Sequence, residues 1–168
     1  MNKKKKPQNL ILFLSITTII LVIVYQYKKY RIAPTIDLFK QEVYNENNEL
    51  VNLENYNGKK TIIAYYASWC GDCLMEMESL NKIKNTDLSD VEVIAITDES
   101  QEKLIHFKNK KNYPFTFLRL NKSFDKINIY SIPVTYVINN EGKIVYEKTG
   151  AINWDDTSTL AHIKALLN

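Results

Sequence analysis

The stretch Thr61-Ile62-Ile63-Ala64-Tyr65-Tyr66-Ala67-Ser68-Trp69-Cys70-Gly71-Asp72-Cys73 decides how this chain is read. Its first seven residues are β-branched or aromatic apart from two alanines, the composition of a buried strand. After Cys73, the residues Leu74, Met77, Leu80 and Ile83 recur every three positions among strong helix formers, which predicts an amphipathic helix to about Lys84. The molecule has two cysteines, and both lie at this handover from strand to helix. There the Cys70 sulfur meets the unpaired N–H groups and positive dipole end of the helix, which favour a thiolate. The pair reads as a redox dithiol.

Two other uses of a CxxC pair fit less well. A structural zinc needs four ligands, and only His106 and His162 remain as partners, neither with ligand spacing. A permanent staple closing so small a loop removes little chain entropy. Two inert thiols would also not need Gly71 between them.

The 168 residues suffice for one domain and a short appendage. The net charge of +3 is unevenly spread. Lys3, Lys4, Lys5, Lys6, Lys28, Lys29 and Arg31 supply 7 of the 22 basic residues, and no acid precedes position 32. The remainder holds 15 basic and 19 acidic residues, a net of −4. The basic balance therefore belongs to an anchor, and no nucleic acid is expected as a partner.

Residues 10–27 are almost wholly apolar, and eighteen helical residues span about 27 Å, close to a bilayer's hydrocarbon core. Bulky and basic residues occupy 24–30, where a cleavage site would need small ones, so an uncleaved signal anchor is expected. Four lysines before the span against Lys28, Lys29 and Arg31 after it favour a cytoplasmic N-terminus. The expected division is a basic tail, single span and juxtamembrane segment over 1–31, then a domain over 32–168. That domain is placed on the extracytoplasmic side of the cell membrane, where a disulfide persists.

After the anchor, residues 39–44 and 50–53 flank the polar cluster Asn45-Glu46-Asn47-Asn48 and predict a β-hairpin. Residues 91–96 read as a second buried strand. Asp98 or Ser100 can cap a helix through about Lys111. Residues 114–118 read as an edge segment or extended loop, and a short helix is expected near 124–129. Residues 134–138 and 143–147 form a hairpin around Asn139-Asn140-Glu141-Gly142. A closing helix over 154–167 enters through Asp155 or Asp156. The order predicts an α/β fold with a central mixed sheet covered by helices on both faces.

From about Ala33 to Asn168 the chain resembles the thioredoxin superfamily, and most closely its membrane-anchored TlpA/ResA-like thiol–disulfide oxidoreductases. The resemblance is carried by Ala33-Pro34 opening an N-terminal hairpin, Gly58-Lys59 before the first core strand, and Ala67-Ser68-Trp69-Cys70-Gly71-Asp72-Cys73. It continues in Ser131-Ile132-Pro133-Val134-Thr135 before a strand, then Asn140-Glu141-Gly142-Lys143 and Thr149-Gly150. It implies a thioredoxin-like fold with a cis Ile132–Pro133 bond across from the dithiol. Ile132 and Pro133 would bind an extended substrate segment as an added strand. Glu76 coincides with an acid of ResA-like proteins, and its i+3 spacing places it on the helical face of Cys73. Thioredoxin's buried strand aspartate is replaced here by Ala64, so Glu76 is the first candidate for acid–base help. Glu78 stands where relatives bend this helix with a proline.

The expected chemistry is reduction of protein disulfides. Cys70 attacks, Cys73 resolves, and Trp69 offers an apolar lid beside the thiols. Gly71 and Asp72, between the sulfurs, tune the potential. Asp72 and Glu76 oppose a negative sulfur, which points to a reductant. The expected partners are a disulfide-containing protein substrate, a membrane electron-donor protein that re-reduces the dithiol, and the lipid bilayer through residues 10–27. No organic cofactor or metal is required beyond the Cys70–Cys73 disulfide itself. The rival readings are a dithiol oxidase or isomerase on the same fold, a redoxin-type peroxidase, and a thioredoxin-like metal carrier. The first is left open. The peroxidase lacks a Pro-x-x-x-Thr-x-x-Cys setting, and the carrier lacks a wider cysteine spacing and a downstream ligand.

Overall fold

The computed structural model describes residues 6–34 and 36–167. Lys3, Lys4 and Lys5 of the basic tail, and Asn168 at the end of the expected domain, lie outside the described residues. Helix α1 (Lys6–Arg31) contains Leu10–Tyr30, long and apolar enough to cross a membrane, with none of its most apolar stretch buried by protein.

Among the described residues, seven strands form one sheet: β1 (Val43–Tyr44), β2 (Leu50–Val51), β3 (Thr61–Tyr65), β4 (Glu92–Thr97), β5 (Thr116–Leu120), β6 (Val134–Ile138) and β7 (Ile144–Thr149). Their spatial order is β2-β1-β5-β4-β3-β6-β7. The strands β3, β4 and β5 are parallel, while β6 runs antiparallel to β3 and β7 to β6. Every residue of β3 is buried, as its unbroken apolar run requires of a central strand.

Helix α2 (Gly71–Lys84) connects β3 to β4, α3 (Gln101–Lys111) connects β4 to β5, and α4 (Thr157–Leu167) follows β7. Helix α3 is capped by Ser100, whose hydroxyl accepts from the Lys103 N–H, so Asp98 is not the cap. Asp98 accepts from the Phe124 N–H instead. Helix α4 begins three residues later than expected, because Trp154 is buried ahead of it and Asp156 accepts from the Thr159 N–H.

Three features depart from the sequence reading. Residues 116–120 form an interior strand, not an edge, because β1 pairs with β5 on its outer side. The N-terminal hairpin holds two residues per strand, and Leu53 opens a 3-10 turn rather than ending a strand. Helices α2, α3 and α4 also share one face. Cys73, Met77 and Leu80 of α2, Leu104 and Phe107 of α3, and Ile163 and Leu167 of α4 join a single core. Two successive right-handed crossovers stepping the same way, β3 to β4 to β5, leave both of their helices on the same side. The opposite core is closed by Ala33 and Leu38 of the N-terminal segment and by 3-10 turns carrying Leu53, Phe124 and Ile127. The sheet is thus flanked by α2, α3 and α4 on one face and by the N-terminal segment and single 3-10 turns on the other.

Candidate active site

Strand β3 delivers the chain to the C-terminal edge of the sheet, and Ala67-Ser68-Trp69 turns it into α2. Cys70 is the N-cap of that helix, with extended backbone, and its sulfur accepts from the Cys73 N–H at 3.2 Å. Cys70 and Cys73 are joined as a disulfide, with Cα atoms 5.3 Å apart. Cys73 is fully buried, while Cys70 retains 7% exposure, so Cys70 presents the accessible sulfur. Once the bond is opened, the Cys73 N–H and the helix dipole are both placed to stabilise negative charge on Cys70.

The loop before β6 supplies the opposite wall. The Ile132–Pro133 bond is cis, and the Ile132 carbonyl oxygen lies 4.0 Å from Cys70 Sγ. Pro133 is buried, and its carbonyl accepts from the Gly150 N–H at 2.8 Å, which holds this loop against the end of β7. Ile132 is half-buried. The Trp69 indole is 73% exposed, so it stands beside the disulfide as open apolar surface and not as a closed lid.

Glu76 lies one turn beyond Cys73 and is 2% exposed, so it is not a solvated surface carboxylate. Thr135 Oγ1 donates to Glu76 Oε1 at 2.6 Å, and the Ile152 N–H donates to Oε2 at 3.3 Å. Burial dominates and pushes its pKa up to about 7, against these two donors and the more distant Lys148. The Trp154 indole acts in the same direction as the donors without meeting hydrogen-bond geometry. Thr135 pairs directly with Ala64 in the sheet. The buried acid of this site therefore comes from the helix to the position beside Ala64, instead of from the strand.

Other expected tuning residues are less engaged. Asp72 is exposed in the first turn of α2. Gly71 has no need to be glycine on steric grounds: a Cβ there would meet nothing within 4 Å, and its φ is ordinary. Glu78 points away from the sulfurs to the Tyr113 hydroxyl and Lys111. His106 and His162 are both exposed.

Sequence reasoning passed over Glu99. Its side chain is 7% exposed, and it accepts from the Ser68 N–H at 2.6 Å and the Ser68 hydroxyl at 2.9 Å, with Lys103 Nζ 3.2 Å away. Burial acts to raise its pKa, but the two Ser68 donors and Lys103 outweigh it and hold the carboxyl below its ordinary range. Glu99 thereby ties the end of β4 to the loop carrying Trp69 and Cys70. The one available signal was the acid pair Asp98-Glu99 just after a buried strand at the sheet's carboxyl edge.

The sequence pattern of the AhpC/TSA family matches residues 31–147. The chain is 26% identical over 110 residues to the thiol-disulfide oxidoreductase ResA of Bacillus subtilis, covering 63% of this chain and 62% of that protein. It is 28% identical over 174 residues to the thiol:disulfide interchange protein DsbE of Haemophilus influenzae, covering 92% and 93%. The chain spans about three-fifths of the length of its Bacillus subtilis relatives, ResA at 62% and the thioredoxin-like protein YneN at 59%. Among solved structures, a DsbE-type thiol:disulfide interchange protein from Chlorobium tepidum superposes with a TM-score of 0.66 at 18% identity. That match covers 80% of this chain and 99% of the other. The fold is thioredoxin-like.

Proposed function

The chain belongs to the AhpC/TSA family of thioredoxin-like proteins, and from that membership we propose that it is a thiol–disulfide oxidoreductase that reduces protein disulfides outside the cytoplasmic membrane. The observation that carries this reading is the paired Cys70 and Cys73 at the start of α2, with one sulfur reachable and the other enclosed. In the reduced protein, the Cys70 thiolate attacks a substrate disulfide, forming a mixed disulfide and releasing one substrate thiolate. Cys73 then loses its proton and attacks Cys70 Sγ, which closes the Cys70–Cys73 bond and frees the second substrate thiolate. Two electrons pass from the dithiol to the substrate, and the oxidised state seen in the structure is the product.

Ile132 and Pro133 receive the substrate as an extended segment, and the exposed Trp69 gives it an apolar rest. Glu76, with a pKa near neutrality, takes and returns the Cys73 proton. The substrate is a protein disulfide, and a membrane-embedded electron donor restores the dithiol. Residues 1–31 form the tail and span, and residues 32–168 the outward domain. The test is trapping: Cys73→Ser accumulates a mixed disulfide through Cys70, and Cys70→Ser does not. Equal trapping by both variants overturns the assignment of roles.

A further inference from the structure

A cleft of about 540 Å³ opens where the end of α1 meets the rest of the chain, well apart in sequence from the dithiol. Tyr25, Lys28 and Lys29 line it from the helix, and Pro34, Asn128 and Tyr130 from the other side. The two walls touch. Lys29 Nζ lies 4.3 Å from the centroid of the Tyr130 ring, and the Tyr30 and Tyr130 rings meet edge to face at 6.2 Å. The Tyr130 hydroxyl donates to Asn128 Oδ1 at 3.4 Å, and the Asn128 amide NH₂ has no hydrogen-bond partner among the described residues. Neither Lys28 nor Lys29 has a carboxylate partner among the described residues.

We propose that this cleft binds the phosphodiester headgroup of an anionic phospholipid. The inference rests on the reading of α1 as a membrane span. Depth argues for a lipid: the apolar run ends at Tyr27, about 27 Å from its start, so Lys28 and Lys29 emerge at the level of the phosphates. Tyr25 and Tyr130 are the side chains that favour that interface. The exposed apolar flank of α1, including Leu21 and Val24, gives the acyl chains a surface to lie along. Charge argues for an anionic headgroup. Two ammonium groups facing one phosphodiester leave a positive excess, which a glycerol headgroup accepts and a choline opposes. Such binding also gives a role to basic residues on the exit side of the span, where the positive-inside bias disfavours them. Tyr130 lies three residues before Pro133, so an occupied cleft fastens the loop facing Cys70 to the bilayer surface.

The test uses the full-length chain in detergent, offered equal amounts of phosphatidylglycerol and phosphatidylcholine, with retained lipid counted by native mass spectrometry. The expected result is retention of phosphatidylglycerol in preference to phosphatidylcholine. Replacing both lysines, K28Q/K29Q, should lower that retention roughly 30-fold, from about 1 kcal/mol per lysine at a lipid surface. Tyr130→Ser keeps every charge and removes one wall, and should lower retention as well. If Tyr130→Ser retains lipid like the parent, the attraction is diffuse electrostatics and the site is refuted. Displacement by millimolar inorganic phosphate would mark a free anion as the ligand and refute the lipid. Incorporation into phosphatidylcholine nanodiscs reports the span separately. A chain that inserts there but shows no phosphatidylglycerol preference loses the site and keeps the anchor, whereas one that fails to insert loses the anchor.

Discussion

Replacing Glu76 with Gln should abolish a pH dependence that the burial of this acid writes into the oxidised protein. In the fold its carboxyl titrates near 7, against 4.5 for an ordinary glutamate. That gap corresponds to about 3 kcal/mol of differential interaction. The sign follows from proton counting. Below about pH 4.5 the group is protonated in both states and contributes nothing to the slope. Between about 4.5 and 7 the unfolded chain ionises while the fold keeps its proton, so the unfolded state binds fewer protons and stability falls as pH rises. Above 7 both are ionised and the loss is complete. The substituted amide would be neutral throughout. Its oxygen can accept from the Ile152 N–H, and its NH₂ can donate to the Thr135 hydroxyl, which serves equally well as an acceptor. Urea unfolding of both oxidised proteins from about pH 5 to about pH 8 gives the comparison, because every other titrating group cancels in the difference. The variant should gain on the parent by about 2.5 kcal/mol across this window, because part of the loss is already complete at about pH 5. Parallel curves would refute the argument, since they would mean that Glu76 does not titrate there. The same substitution should flatten the pH dependence of reaction with a model disulfide near neutrality.

Glu99→Ala should destabilise the protein by about 2–3 kcal/mol at neutral pH, because two charge-assisted bonds to Ser68 are lost. It should also speed hydrogen exchange at the Ser68 amide. Since the Glu99 carboxyl is held low, its contribution is whole at neutral pH and is lost as pH falls through its folded pKa. Equilibration with glutathione or dithiothreitol should give a potential nearer about −270 mV than about −120 mV, and a value above about −180 mV would overturn the reducing direction. Asp72→Asn should move that potential by less than about 20 mV, because the side chain is exposed and its charge is screened. A reporter fused at the C-terminus should be active only outside the cytoplasm, and cytoplasmic activity alone would overturn the topology.

Much of the fold was legible because it rests on local spacing. The dithiol follows a β-branched run and precedes apolar residues three apart, and those two periods define β3 and α2 without help from elsewhere. The Asn-Asn-Glu-Gly turn likewise announces β6 and β7. What escaped depends on partners distant in sequence. Residues 116–120 look like an edge because a proline precedes them, yet β1 covers them from more than 70 positions away. The single-faced helix layer follows from crossover handedness combined with strand order, and neither is written in any one segment. Within the site, Glu76, three positions after Cys73, is buried, whereas Glu78 on the same helix is exposed. No spacing rule links Glu99 to Ser68, which meet only when β3 and β4 lie side by side. Gly71 was read as tuning the sulfurs, and the open space around it shows no steric demand for glycine there.

The delivery of the buried acid from α2, beside Ala64, has a mechanical consequence. A carboxylate on a central strand is fixed to the sheet and stays put when the cysteine helix shifts. Here the acid and Cys73 ride on the same helical turn, while both hydrogen-bond donors to the acid, Thr135 and the Ile152 amide, belong to other elements. Any displacement of the first turns of α2 between the disulfide and dithiol states therefore carries acid and sulfur together and changes the grip of their fixed surroundings. On the proposed mechanism, the helix would hold Glu76 and Cys73 at a constant separation, and a change in the grip of Thr135 and Ile152 would alter the acidity of Glu76.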